Sequence, residues 1–160
     1  MKKLFLLVFA IFSFGVYYSF PISSEAAQPV VKADRQYYDF EKGLYVLNGN
    51  VVIEYNGYHV TADEAKTDLA EVWANGGIIF QKDDIQMNGS SIYFNFPKNI
   101  LKVQGAVDFS RNRLRITADK VEFNWETKLA KFTGNVRVQN GDTISTYDTK
   151  IYNVGTNDFL

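Results

Sequence analysis

The chain reads as all-β: an antiparallel meander of long bent strands, folded along one line into a V and built from about four and a half repeats of 29 residues. Three observations predict this. The first is recurrence. An Ala-Asp pair or its equivalent falls at Ala33-Asp34, Ala62-Asp63, Gly89-Ser90, Ala118-Asp119 and Tyr147-Asp148, in steps of 29, 27, 29 and 29 residues. A polar residue follows at Asp39, Asp68, Asn95, Asn124 and Asn153, and a glycine closes the units at Gly49, Gly76, Gly105 and Gly134. Such a period marks units that must stack to bury an apolar face. The second is period-2 alternation after each glycine, as in Val51 and Ile53 or Val136 and Val138, with the same parity running backwards to Leu47 and Phe132. That is a strand with one buried face. The third is a small residue in the middle of every pass. Glycine inside a strand marks a bend or bulge, and stacked in a column these positions crease the whole sheet.

Taken in order, residues 1–27 are a separate object. Lys2-Lys3 precedes the uncharged run Leu4 to Ile22, and Ser24-Glu25-Ala26-Ala27 offers small residues for a signal peptidase. The reading is a secretory signal cleaved after Ala26 or Ala27, with a retained membrane anchor as the alternative, since the run is long enough to span a bilayer. Residues 28–160 then form one domain. Each forward pass, such as Leu44 to Tyr55, holds about twelve residues, roughly 40 Å at the strand rise. The chain reverses at Asn56-Gly57, Lys82-Asp83-Asp84, Arg111-Asn112-Arg113 and Asn140-Gly141. The two Asn-Gly pairs suit type I′ hairpins. It reverses again at Asp39 to Gly43, Asn95 to Asn99 and Asn124 to Lys128, so each repeat makes two passes. On the return pass the parity of Ile116 and Ala118 slips by one at Val121 and Phe123, as a bulge at the crease would cause.

Composition narrows the function. With no cysteine in the chain, a lipoprotein, a disulfide scaffold and a Cys-ligated metal centre are excluded. Removing Lys2, Lys3 and Glu25 takes the net charge from −1 to about −2, which argues against nucleic acid as partner. His59 is the only histidine and reads as a solvated strand residue, so no Ser/His/Asp arrangement is expected. Asp83 and Asp84 read as turn chemistry. Asp34, Asp63, Asp119 and Asp148 could form a ladder of metal ligands, but at a bulge they are expected to bond backbone groups instead. No phosphate loop or H-E-x-x-H occurs, so neither an enzyme nor a cofactor or metal site is expected. Arg111, Arg113 and Arg115 form the one basic cluster, and Arg111 and Arg113 are candidates for anionic headgroups.

The inward columns define the candidate lipid-binding groove: Tyr38, Leu47, Val51, Ile53, Ile78, Phe80, Phe94, Leu101, Val103, Val107, Phe109, Phe123, Phe132, Val136 and Val138. A V-shaped sheet of this size leaves them partly open along its length. Contiguous exposed apolar surface marks an interaction site, and each buried acyl methylene gains about 0.8 kcal/mol. A fibre or adhesion module with a dry core is the competing reading. A β-helical carbohydrate-active enzyme fares worst, because the turns make the meander antiparallel.

The repeats A-D-x-x-x-x-(D/N) and G-N-V-x-(V/I), as in Ala33 to Asp39, Gly49 to Ile53, Ala118 to Asn124 and Gly134 to Val138, resemble the OstA-like family of periplasmic lipopolysaccharide-transport proteins, which groups the LptA, LptC and LptD amino-terminal domains. The resemblance spans about Val31 to Leu160. It implies a half-open twisted jelly roll in the periplasm that holds the lipid A acyl chains of lipopolysaccharide between its leaves and stacks end to end between inner and outer membrane. An anchored LptC-type role is equally within the family. The unequal edges suit head-to-tail self-association or contact with inner- and outer-membrane transport components. Thr143 to Asn153 would accept a strand donated by Val30 to Tyr38.

Overall fold

The alternation becomes strand along most of the described residues. The computed structural model describes residues 30–55 and 57–160, and the expected leader over residues 1–27 lies outside them. In order the strands are β1 (Val30–Lys32), β2 (Arg35–Asp39), β3 (Leu44–Tyr55), β4 (Tyr58–Thr67), β5 (Glu71–Lys82), β6 (Ile85–Asn95), β7 (Ile100–Arg111), β8 (Leu114–Asn124), β9 (Leu129–Asn140), β10 (Thr143–Asn153) and β11 (Asp158–Phe159). They form one eleven-stranded sheet that runs from β1 through β3 to β11 in sequence order, with β2 also against β3. Every pairing is antiparallel. β1 and β2 act as one interrupted strand: β1 pairs Val52 to Glu54 and β2 pairs Leu44 to Asn48.

The interruption lies on the crease. Register slips at Asn48/Val51, Asn75/Ile78 and Gln104/Val107, and again at Tyr147/Thr149 opposite the glycine of β9. At each slip the forward strand carries two consecutive residues of positive φ, as in Gly105 (80°) and Ala106 (48°) or Gly134 (79°) and Asn135 (48°). One return-strand residue opposes the two, so the extra residue of each bulge belongs to the forward strand. The parity slip read in the return strand is its shadow. The forward strand advances by an even step of four from Val103 to Val107 and hides its own bulge.

The polar column that follows each mark closes the turns on one side of the sheet. Asp39 Oδ1 accepts from the Glu41 and Lys42 amides, Asn124 Oδ1 from Glu126 and Thr127, and Asn153 Oδ1 from Gly155 and Thr156. These are Asx turns, in which a side-chain oxygen stands in for a backbone acceptor. They are also stitched to one another, since the amides of Phe96, Trp125 and Val154 donate to the carbonyls of Ala70, Asn99 and Lys128.

On the opposite side sit two-residue hairpins. Tyr55 faces Tyr58, Lys82 faces Ile85, Arg111 faces Leu114 and Asn140 faces Thr143. The type I′ expectation at Asn140-Gly141 is corrected here. Asn140 still belongs to β9, the central pair is Gly141-Asp142, and of these only Gly141 has positive φ (58°). Asp83 (53°) and Asn112 (53°) repeat that pattern, which is that of type II′.

Folded at the crease, the sheet presents a turn leaf, ending in the Asx turns, and a hairpin leaf. Their inner faces form the core, in which Leu47, Val51, Val60, Val103, Ile116, Phe132 and Tyr152 have no exposed surface.

Candidate functional site

The space between the leaves is the candidate site, and the twist of the sheet decides which strands face each other. At one place on the mouth the hairpin-leaf residues Ile53, Tyr55, Tyr58 and Phe80 meet Phe94, Phe96, Phe123 and Trp125 of the turn leaf. The rings of Tyr55 and Phe96 stand edge to face at 5.3 Å. Further along, Phe109 of β7 meets Phe132 of β9 at 5.6 Å and Tyr152 of β10 at 5.7 Å. Each hairpin half thus faces a turn half two to three strands on.

Of the fifteen groove residues read from the sequence, all but Tyr38 lie buried between the leaves. The space is narrower than a groove open along its length. Phenylalanines from both walls fill it, because apolar faces brought together by the crease gain by burial against each other. Tyr38 lies at the amino-terminal end, 39% exposed and 4.8 Å from the Tyr45 ring.

Beside the packed centre a cavity of about 200 Å³ opens at the mouth. Its floor is Met87, Phe109, Val121, Phe123 and Phe132, and its rim carries Lys82, Asp83, Asp84, Arg111 and Lys128. Lys82 pairs with Asp83 at 3.8 Å and lies 4.5 Å over the Tyr58 ring. Arg111 donates from Nε to Asp84 Oδ2 (2.8 Å), and from Nη1 to the Val154 carbonyl (2.6 Å) and Tyr152 Oη (3.4 Å). This guanidinium therefore joins the hairpin leaf to the turn leaf. Its bond holds the Asp84 carboxyl below the usual carboxylate range, and Asp84 in turn raises Arg111. The other two arginines of the sequence cluster are placed apart from it: Arg115 forms a bidentate pair with Asp108 at 2.9 and 2.6 Å, and Arg113 is exposed at the hairpin tip.

The aspartate column does something other than expected. Asp34 accepts from Asn50 Nδ2 (2.8 Å) and Asp119 from Asn135 Nδ2 (2.9 Å), while Ser90 donates to the Gly105 carbonyl (3.2 Å). Two of the four aspartates thus bond the side chain of the second bulge residue, which is long enough to reach back across the crease. His59 lies on the outer face, its Nδ1 3.5 Å from Glu54.

Sequence reasoning missed the rim aromatics Tyr55, Tyr58, Phe96 and Trp125. A signal was present for the last two: each turn-closing polar residue is followed by an apolar one, at Phe40, Leu69, Phe96, Trp125 and Val154.

With this architecture in hand, comparison with known proteins is decisive for the family. The sequence profile of the family described as OstA-like protein matches residues 51–157, most of the described chain. The chain belongs to the OstA-like family. No curated protein sequence matches it. Among solved structures it is similar to LptH of Pseudomonas aeruginosa, described as the LptA-homologous periplasmic component of the conserved lipopolysaccharide transport device. The TM-score is 0.60 at 13% identity, over 74% of this chain and 93% of that one. At that identity the likeness speaks for the fold, and the open, twisted antiparallel meander of this OstA-like protein is shared.

Proposed function

We propose that this OstA-like protein is a periplasmic lipid carrier that holds the acyl chains of lipopolysaccharide between its leaves and passes them between inner and outer membrane, after its leader is cleaved. Membership of the family and a fold shared with a lipopolysaccharide-transport component support the reading. One observation carries it: two apolar walls are joined along a single crease, and all strand pairing lies within the leaves. The mouth can part without breaking a strand ladder. What parting loses is side-chain contact, and an acyl chain restores about 0.8 kcal/mol per buried methylene. Sliding is easy because the inner wall is predominantly apolar, and the hydroxyls of buried Thr67 and Tyr152 already donate to the Glu71 carbonyl and to Asn157.

The near-complete burial of the inner side chains favours a second reading, a structural repeat with a dry core. Lipid extraction and mass spectrometry of the purified protein separates the two. A photo-crosslinking amino acid at Phe96 or Tyr58 is expected to label lipopolysaccharide, whereas one at outward Lys131 is not. Equal labelling from both faces, or protein that purifies free of lipid and labels none, would leave the dry-core reading standing.

A further inference from the structure

Arg111 is placed where the mouth must open. Its Nε is anchored on the hairpin leaf by Asp84, which also accepts from Asn112 Nδ2 at 3.0 Å. Its Nη1 reaches the turn leaf at Val154 and Tyr152. Directly beneath lies the apolar-floored cavity of about 200 Å³. A guanidinium offers five N–H groups in a planar fork, more than these bonds use. Across the mouth it meets a neutral carbonyl and a hydroxyl. Those bonds are charge-assisted on the donor side only, whereas a phosphate adds the opposite charge and a bidentate geometry that a single carbonyl lacks.

Resting on the lipid-carrier reading, we propose that Arg111 is the specificity-determining residue of the mouth: it latches the leaves together through Val154, and the anionic headgroup of an amphiphile opens them by taking the place of that carbonyl. The Asp84 bond keeps the guanidinium on the hairpin leaf during the exchange, so only its hold on the turn leaf is released. Lys82 and Lys128 add positive charge to the rim and Asp83 and Asp84 subtract from it, leaving a net charge of +1 with Arg111 to meet a phosphate. The acyl chain follows into the cavity over Met87, Phe109 and Phe132. An uncharged amphiphile presents nothing that outcompetes the carbonyl and meets a closed mouth.

The chain has no cysteine, so nitroxide labels at Arg113→Cys and Thr156→Cys report the distance across the mouth without background. Dodecyl phosphate is expected to lengthen that distance, and dodecyl maltoside and inorganic phosphate are not. Binding should favour the phosphate amphiphile by roughly tenfold or more, the scale of a hydrogen bond to a charged group. Arg111→Gln should rest open and bind both amphiphiles alike. Arg111→Lys, which keeps the charge and loses the fork, should discriminate less than the wild type while retaining its circular dichroism. Opening by the maltoside or by inorganic phosphate alone would overturn the proposal, as would full discrimination in Arg111→Gln or Arg111→Lys. If neither amphiphile bound the wild type, the carrier reading itself would fall; binding of both without discrimination would remove the latch and leave the carrier.

Discussion

Gly134 shows how much of this fold is decided by single atoms. Its φ of 79° costs an L-residue roughly 1–2 kcal/mol, and a Cβ built there would lie 2.3 Å from Asp119 Oδ2 and 2.9 Å from Asp119 Cβ. Asp119 cannot simply swing away, because Asn135 holds its carboxylate at 2.9 Å. Gly141, at the hairpin tip, has a φ of 58° but nothing within 4 Å of the same ideal Cβ. Gly134→Ala is therefore expected to cost more than the backbone term of roughly 1–2 kcal/mol, and Gly141→Ala no more than that term. Urea denaturation checks this through the midpoints at constant slope. Equal losses would mean that the close approach of the crease residues contributes nothing. The recurrence of glycine was plain in the sequence, and so was a bend. The paired positive φ values were less plain: Asn50 and Asn135 are of a type that tolerates positive φ, but Ala106 carries no such signal.

Among elements, the Asx turns illustrate what alternation conveys and what it omits. Strand positions, the reversals and their polar closers were all legible, since each depends on residues within a few positions of one another. β11 was not, having only two residues, and neither was the break between β1 and β2, which follows from the crease rather than from local composition. The cross-mouth contacts of Tyr55 with Phe96 and Arg111 with Val154 were invisible for a different reason: they depend on how far the sheet twists, a property summed over all its strands. The turns themselves are testable one at a time. Asn124 Oδ1 accepts from the amides of Glu126 (3.0 Å) and Thr127 (2.9 Å). Asn124→Ala removes the acceptor of both bonds at an exposed site and is expected to cost about 1 kcal/mol, whereas Asn124→Asp keeps it. Hydrogen exchange at those two amides should accelerate in the alanine variant alone. Unchanged protection would show that the Trp125 amide bond to Asn99 holds the turn by itself.

At the scale of the molecule, the offset between the leaves sets what remains uncovered at the ends. Tyr38 and Phe40 are exposed at the amino-terminal end, Phe40 by 88%, and Ile144 and Tyr147 at the other. Among the described residues, unpaired strand edges lie beside both patches. The sequence treated Thr143 to Asn153 as one free edge, and the structure divides it. β11 pairs Tyr152 and Asn153, and the Leu160 amide donates to the Ile151 carbonyl at 3.0 Å, so the chain covers the turn-leaf half of β10 itself. Thr143 to Tyr147 pair β9 on one side, and among the described residues no strand pairs them on the other. At the opposite end β1 and β2 present their outer edge. Two different edges make a heterologous contact, which propagates as a filament instead of closing as a dimer, and it would align the interiors of successive copies. Head-to-tail association through the hairpin-leaf half of β10 is therefore expected. A proline there removes an edge donor and blocks addition of a strand, so Thr146→Pro should hold the protein monomeric. Ile151→Pro, in the half that the chain covers itself, should leave association intact while loosening β11. Sedimentation velocity over a range of concentrations distinguishes them. A wild type that stays monomeric throughout, or a Thr146→Pro variant that associates as the wild type does, would show that this edge does not join copies of the chain.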